Sequence, residues 1–202
     1  MSQRRAPLAP DPRELDPRAA RAWTEPMAVT PLSGGCYAVE TDHGSYTVDV
    51  PGRRCTCPDH RYRHERCKHL RRVAIEINLE RAPPPGKRRA DCAACGDEAF
   101  VPETAEPPLC TDCRLDPGDV VTDRETGDTL VVRRVRSDRA DEYVIEATGK
   151  TVAAHETNER YPANDLVVDV VYLGDELRNR EPRVYAFPYS RLRRVEDAAI
   201  VD

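Results

Sequence analysis

Apolar and polar residues alternate along two short segments, CYAVET (36–41) and SYTVDV (45–50). A period of two is typical of half-buried strands, and residues 42–44 (Asp-His-Gly) between the segments supply a turn, so together they predict a β-hairpin. Apolar residues recur at helical spacing in HLRRVAIEINLE (69–80), which predicts one amphipathic helix. Such small elements bury little apolar surface, so we expect a further constraint to hold them together.

Beyond residue 116 the pattern changes to short apolar runs separated by turn signals such as Gly127 and Gly149. Short, regularly spaced strands of this kind predict a small antiparallel β-barrel or sandwich. The predicted strands are DVVT, TLVVRRV, YVIEA, KTVAAH, LVVDVVYL and RVYAF.

These patterns predict an α+β fold made of small modules. Residues 1–20 contain proline and charge without periodicity and are predicted to be a disordered tail. The hairpin and helix form a module over residues 21–81, and a proline-rich linker covers residues 82–90. A cysteine-rich module over residues 91–115 and a β-rich domain over residues 116–202 complete the chain.

The composition is that of a polar chain with thin cores, since 39% of residues are hydrophobic and mean hydropathy is −0.68. No apolar run is long enough to cross a membrane, and no apolar segment follows Arg4 and Arg5, so we expect a cytoplasmic protein. In that compartment eight cysteines are expected to bind metal rather than form disulfides. Abundant aspartate with only three lysines resembles proteins of salt-loving archaea.

The segment CTCPDHRYRHERCKHL (55–70) holds three cysteines and three histidines, whereas a structural zinc site needs four ligands. Cys55 and Cys57 are two residues apart, so on an extended strand both side chains face the same way. Cys67 lies at the predicted start of the helix, where backbone amides favour a thiolate, and His69 follows. Three thiolates and one imidazole around zinc would join the hairpin to the helix.

The pattern C-x-C, spacer, C-x-H resembles the SWIM zinc finger over residues 20–80, including the Cys-Lys-His step, the preceding hairpin and the apolar helix. The resemblance implies four zinc ligands: Cys55, Cys57, Cys67 and His69. His60 and His64 are then spacer residues; in the alternative, His64 is a ligand and His69 is left unused. SWIM domains occur in Swi/Snf-type remodelling ATPases, Mutator-type transposases and recombination accessory proteins, where binding to DNA or to protein is proposed.

A second cluster consists of two Cys-x2-Cys pairs separated by fourteen residues: Cys92 with Cys95, and Cys110 with Cys113. This spacing is close to that of four-cysteine zinc ribbons, and Gly96 relieves strain in the first tight bend. The alternative is a redox pair, but two matched pairs without a thioredoxin-like pattern favour metal. We therefore expect two zinc ions per chain and interpret the eighth cysteine, Cys36, as a small buried apolar residue.

Other residues that could take part in catalysis or ligand binding do not predict an enzyme. Residues 148–151 (TGKT) end like a phosphate-binding loop, but Val144 stands where that motif requires glycine. The acidic residues Asp123, Glu125 and Asp128 could attract a cation, although such a run is more typical of a solvated turn. Both predicted zinc sites use four protein ligands and keep no position for a catalytic water, so we expect no catalytic activity.

Positive charge is concentrated on the first cluster. The formal net charge of the chain is −5, yet residues 53–72 hold eight basic and two acidic side chains. We therefore predict a nucleic-acid-binding accessory or regulatory factor whose basic residues contact phosphates while an aromatic residue stacks on a base. The predicted contacts are Arg53, Arg54, Arg61, Tyr62, Arg63, Arg66, Lys68, Arg71 and Arg72. The alternative is a protein–protein interaction adaptor with purely structural zinc sites. In that case these arginines form a solvated face or pair with acidic side chains of residues 114–202, a region of net negative charge.

Overall fold

The computed structural model describes residues 9–178 and 181–199. Within these residues it contains four α-helices, four short 3-10 helices and thirteen strands, and every strand pairing that it shows is antiparallel. The fold is therefore of the predicted α+β class, and it contains two clusters of potential metal ligands. Contacts divide the chain into two units, residues 1–89 and 90–202. None of the helices in the described ranges has the length and apolar character needed to cross a membrane.

The first unit combines a four-stranded sheet with three helices. Its elements are α1 (Pro17–Thr24), β1 (Ala28–Pro31), β2 (Cys36–Thr41), β3 (Gly44–Asp49), β4 (Arg54–Cys55), α2 (Pro58–Arg63) and α3 (Lys68–Asn78). The strands lie in the sheet in chain order. The pairing of β2 with β3 confirms the predicted hairpin, and α3 is the predicted amphipathic helix.

The core of the first unit lies between the hairpin and α3. The fully buried side chains of Tyr37, Val39 and Val48 come from β2 and β3, and Val73 comes from α3. The Tyr37 hydroxyl donates a hydrogen bond of 2.6 Å to the backbone oxygen of Pro83, so the segment after α3 is fastened to the hairpin. A buried tyrosine needs such a partner for its hydroxyl, and this bond supplies it.

Ordered structure begins within residues 1–20, so the prediction of a disordered tail over that whole range is wrong. A 3-10 helix spans Pro12–Glu14, and α1 begins at Pro17. Asp16 caps α1 by accepting the backbone N–H groups of Arg18 and Ala19, and proline at the first helical position is already set for a helix. Ala22 is buried where α1 packs against α3. Only residues 1–8 of the predicted tail lie outside the described residues.

The second unit consists of β-structure and one short helix. Its elements are β5 (Lys87–Asp91), β6 (Glu98–Pro102), β7 (Asp119–Asp123), β8 (Thr129–Arg139), β9 (Val144–Ile145), β10 (Lys150–Thr151), β11 (Leu166–Tyr172), α4 (Leu173–Glu176), β12 (Tyr185–Pro188) and β13 (Leu192–Ala199). The boundary between the units falls within β5, inside the predicted linker. The predicted cysteine-rich module and β-rich domain both lie in this unit.

Five of these strands form one antiparallel sheet in the order β12, β11, β8, β7, β13. The interior strand β11 is buried on both faces: Val168 and Val170 belong to one core cluster, and Val167 belongs to another. Its single charged residue, Asp169, is buried and accepts hydrogen bonds from Arg134 and Arg136, each 2.8 Å long. The nearly continuous apolar run LVVDVVY is therefore explained by burial on both sides.

Candidate metal centres

The first candidate centre lies where the sheet of the first unit meets its helices. Cys55 is the last residue of β4 and is held by pairing with Val48 on β3. Cys57 caps α2, and its Sγ accepts the backbone N–H of His60 at 3.4 Å. The two cysteines therefore do not share one strand as predicted, because Pro58 starts a helix directly after Cys57.

The other two donors come from the start of α3. Cys67 occupies the N-cap position of this helix, His69 lies in its first turn, and both are buried. The potential ligand atoms lie within 4.8 Å of one another in all four residues: Cys55, Cys57, Cys67 and His69. Sγ of Cys55 is 3.7 Å from Nδ1 of His69. Tetrahedral zinc with bonds of about 2.3 Å to sulfur and 2.0 Å to nitrogen places such atoms about 3.5 Å apart, so the donors fit zinc.

The imidazole of His69 is held in a way that suits a ligand. Its ring stacks on the ring of Tyr46, with centroids 4.4 Å apart and planes inclined by 23°. Its Nε2 atom is buried and has no hydrogen-bond partner within the described ranges. The ring nitrogen that lies 3.7 Å from Sγ of Cys55 is Nδ1, so Nδ1 is the atom placed to bind zinc, and the stacking on Tyr46 holds the ring in that orientation.

Protons are distributed unevenly over the three thiols of this site. A hydrogen bond from Cys55 is the largest cause that lowers the pKa of Cys67, to about 3, and the backbone N–H of Leu70 contributes to the same shift. The same hydrogen bond, followed by burial, raises the pKa of Cys55, and burial raises the pKa of Cys57. The site thus already stabilises one thiolate at the N-terminus of α3, and zinc would stabilise the other two by replacing their protons.

Neither spacer histidine joins this group of donors. His64 is exposed and ends α2 in the left-handed conformation, with φ of 56°. Nδ1 of His60 is 2.8 Å from the backbone oxygen of Glu65. Because a carbonyl oxygen only accepts, this nitrogen carries a proton and donates it. The geometry agrees with a spacer role for both histidines.

The second candidate centre lies in the second unit. The Sγ atoms of its four cysteines are within 4.8 Å of one another: Cys92, Cys95, Cys110 and Cys113. Sγ of Cys95 is 3.9 Å from Sγ of Cys110, close to the roughly 3.8 Å between two sulfurs on one tetrahedral zinc ion. Gly96 adopts a φ of 79°, which is the left-handed turn expected after the first pair.

Backbone amides prepare the second site for metal. Burial alone would raise the pKa of Cys92, but backbone N–H groups of Cys110, Cys95 and Ala94 outweigh it and lower the pKa to about 6. The clearest of these bonds joins N–H of Cys110 to Sγ of Cys92 at 3.4 Å. Cys95 is exposed, whereas all four donors of the first site are buried. The two sites therefore share donor chemistry but differ in access from solvent.

Four of the nine residues predicted to contact nucleic acid are engaged in ion pairs. Three of them lie on α3 and are half-buried: Lys68 with Glu25, Arg71 with Asp16, and Arg72 with Glu76. Arg63 binds Asp59 at 3.1 Å across one turn of α2. These cations are already partly neutralised by the fold.

The other five predicted residues are exposed and accessible to a ligand. Arg53, Arg54, Arg61 and Arg66 are exposed, and none of them pairs with a carboxylate in the part of the chain that the structure describes. Tyr62 is 85% exposed. The structure thus reduces the predicted basic face to a smaller exposed group around α2.

Two residues near the first site were not identified from the sequence. Tyr46 stacks on the candidate ligand His69, and Arg18 binds Asp59 at 2.9 Å and Glu65 at 2.6 Å. Arg18 was assigned to the tail, although the pair Asp16-Pro17 before it is a helix-start signal. No local pattern marks Tyr46, because its role depends on the register of β3 against α3.

Two minor interpretations are corrected by burial. Asp123 is not part of a solvated turn, since it is buried and paired with Arg191 at 2.6 Å. Its partner lies 68 residues away, so nothing in the local sequence reveals the pair. Cys36 is half-buried at the first position of β2 rather than fully buried.

Comparison with known proteins identifies the first site. Residues 46–78 match the family model of the SWIM zinc finger, a range that contains all four donors of the first site and ends with α3. Searches of curated proteins and of solved structures gave no match to this chain. The chain therefore contains a SWIM zinc finger, and its second four-cysteine cluster lies outside the matched range.

Proposed function

We propose that this chain, whose residues 46–78 form a SWIM zinc finger, is a non-enzymatic nucleic-acid-binding accessory or regulatory factor with two structural zinc sites. The observation that carries the proposal is the exposed group of arginines around α2, defined by Arg53, Arg54, Arg61 and Arg66. Unpaired exposed arginines bind phosphates well, because they release condensed counterions without first breaking an ion pair.

The zinc site supports this surface structurally. Arg53 and Arg54 precede the first two donors, Arg61 lies between the two pairs of donors, and Arg66 directly precedes Cys67. One metal ion would therefore fix the backbone that carries all four arginines. The adjacent aromatic ring of Tyr62 offers a stacking surface for a base. The absence of catalysis is proposed because each donor set consists of four protein ligands, which fills a tetrahedral zinc ion.

The experiment is a salt series of binding to fluorescently labelled 12-nucleotide DNA, as single strand and as duplex, followed by anisotropy. The test variant is R53S/R61S/R66S, and the control R13S/R21S/R81S removes the same charge from exposed arginines elsewhere in the first unit. Each lost phosphate contact lowers the slope of log K against log salt by about 0.7 to 0.9. We expect the test variant to lose about two to three units of slope and the control to lose less than one.

Two results would contradict the proposal. Equal losses in the two triple variants would mean that binding follows net charge rather than this surface. Absence of binding by the zinc-loaded wild type at low salt would refute a nucleic-acid role. That second result would favour the adaptor, in which the same arginines meet acidic side chains of a protein.

A further inference from the structure

A cleft with a volume of about 540 Å³ lies next to the first zinc site and is formed entirely by the first unit. Its volume falls within the range of roughly 300–1,000 Å³ that is typical of small-ligand sites. Apolar side chains of Val50, Leu70 and Ala74 line one part of the cleft. Arg53 and Arg66 also line it and bring two positive charges to its rim.

The cleft keeps its positive charge because its one lining carboxylate is already paired. Glu65 binds Nη1 of Arg18 at 2.6 Å, so its negative charge is already partly neutralised by a residue outside the cleft lining. Neither of those two arginines forms an ion pair with a carboxylate in the described ranges. An anionic group that enters the cleft therefore meets two unpaired guanidinium groups.

The apolar part of the cleft suits a planar ring. His60 lines the cleft, and the hydrogen bond from its Nδ1 to the backbone oxygen of Glu65 fixes the ring. A fixed imidazole beside the side chains of Leu70 and Ala74 offers a surface on which a base can stack. The combination of a ring surface with two cations matches the chemistry of a nucleotide better than that of an isolated phosphate.

We propose that this cleft binds one unpaired nucleotide of a single-stranded nucleic acid, with the base against Leu70 and Ala74 and the phosphate between Arg53 and Arg66. The inference rests on the proposed function and adds the substrate class. In a duplex each base is paired and stacked, so it reaches such a cleft only after leaving the helix. Single-stranded DNA or RNA therefore binds more tightly than duplex of the same length.

The backbone at the cleft supports a functional role for its side chains. Arg53 and His64 both line the cleft and both adopt the left-handed conformation, with φ of 53° and 56°. Glycine fits this conformation without strain, whereas residues with a Cβ are disfavoured there. The chain thus carries large polar side chains at two positions where stability alone favours glycine.

Substitution of these two left-handed residues by glycine is expected to remove cleft side chains without destabilising the fold. The pair R53G/H64G removes a cation and a ring while relieving both left-handed positions. A matched control is E80G, since Glu80 has a φ of 57° and lies outside the cleft lining. A third variant, A74L, enlarges a half-buried helical side chain that lines the cleft and removes no charge.

Binding is measured by anisotropy with zinc-loaded full-length protein and labelled 12-nucleotide DNA single strand, RNA single strand and DNA duplex. We expect single strands to bind at least tenfold more tightly than duplex, and R53G/H64G and A74L each to lose about tenfold in single-strand affinity. Duplex affinity changes less than twofold in A74L, and E80G leaves all affinities unchanged. The midpoint of thermal unfolding confirms that each variant is folded.

The outcomes separate this inference from the proposed function. Equal affinity for single strand and duplex, with no effect of A74L, would overturn the nucleotide cleft but leave binding through exposed arginines intact. Competition by inorganic phosphate as effective as that by a mononucleotide would also overturn it, because the base would then contribute nothing. Absence of binding to all three probes would refute the proposed function itself.

Discussion

Replacing Arg191 by methionine is expected to destabilise the second unit strongly. Its guanidinium donates to both carboxylate oxygens of Asp123, at 2.8 and 2.6 Å. The remaining nitrogen donates to Thr157 at 2.9 Å and to Asn158 at 2.8 Å, and the group lies 4.3 Å from the ring centroid of Phe187. Methionine keeps the apolar volume but removes every one of these donors.

The size of the effect follows from burial. Only 5% of the Arg191 side chain and none of the Asp123 side chain is exposed, so solvent does not screen the charge that remains. Removing one partner of such a buried pair costs about 3–5 kcal/mol. A loss of this size lowers the folding equilibrium constant by roughly two to three and a half orders of magnitude. The matched control is R134M, where the arginine is 60% exposed and Asp169 keeps Arg136; we expect a loss below about 1 kcal/mol.

The assay is urea unfolding with hydrogen exchange of backbone amides in β7 and β13, which report the second unit directly. The single tryptophan, Trp23, lies in the first unit, so its fluorescence monitors that unit separately. We expect R191M to shift the exchange midpoint and leave the tryptophan transition unchanged. Addition of D123N to R191M should restore part of the stability, because the double variant buries no charge.

The pH dependence of the stability lost in R191M is the strictest test of this account. In the wild type, burial alone would raise the pKa of Asp123, but hydrogen bonds from Arg191 and from the backbone N–H of Glu125 outweigh it and hold the pKa below its ordinary value. This carboxylate therefore contributes stability above its unfolded pKa of about 3.9, and the contribution is lost as pH falls through the folded pKa. In R191M the hydrogen bonds from Arg191 are lost, and only those from the Glu125 N–H and the Thr126 hydroxyl still oppose burial. The pKa of Asp123 therefore rises, so the stability deficit of R191M should shrink from pH 7 to pH 4. A deficit that stays constant over this range would refute the account.

Three further predictions concern the metal sites. Inductively coupled plasma analysis should find two zinc ions in the wild type and one in H69A, whereas two in H69A would exclude His69 as an essential ligand. Competition with a chromophoric chelator should remove zinc from the second site first, because Cys95 is exposed and the donors of the first site are buried. H69A should keep zinc only at the second site, so its zinc should leave in the fast phase of the wild type. Release of that zinc in the slow phase would contradict this order. Y46A should weaken zinc binding at the first site roughly threefold to tenfold through loss of ring stacking, while Y46F should match the wild type in the same competition assay.

Local patterns were sufficient to predict the centre of the first unit. The hairpin and α3 follow from apolar spacing, and the donors follow from cysteine and histidine spacing, since all of these signals lie within short segments. Helix α2 was missed because its six residues show no apolar periodicity and none of them is buried. It is held instead by its Cys57 cap and by contacts that exist only in the folded unit.

Interactions between distant residues explain the other differences. The composition of residues 1–20 favours disorder, yet Arg18 and Ala22 find partners on α2 and α3 that the local sequence does not indicate. Strand β13 was not predicted because its start, Leu192–Val195, includes two arginines. It joins the sheet as an edge strand, where only one side is paired.

The edges of the sheet in the first unit have a consequence for how other chains approach it. One edge is β1, which has four residues and ends with Pro31, and the other is β4, which has two residues and ends with a metal donor. Short edge strands, and proline within them, discourage pairing with a foreign strand and so protect against aggregation. We therefore expect any partner of this unit to dock through side chains of its loops and helices rather than by extending the sheet.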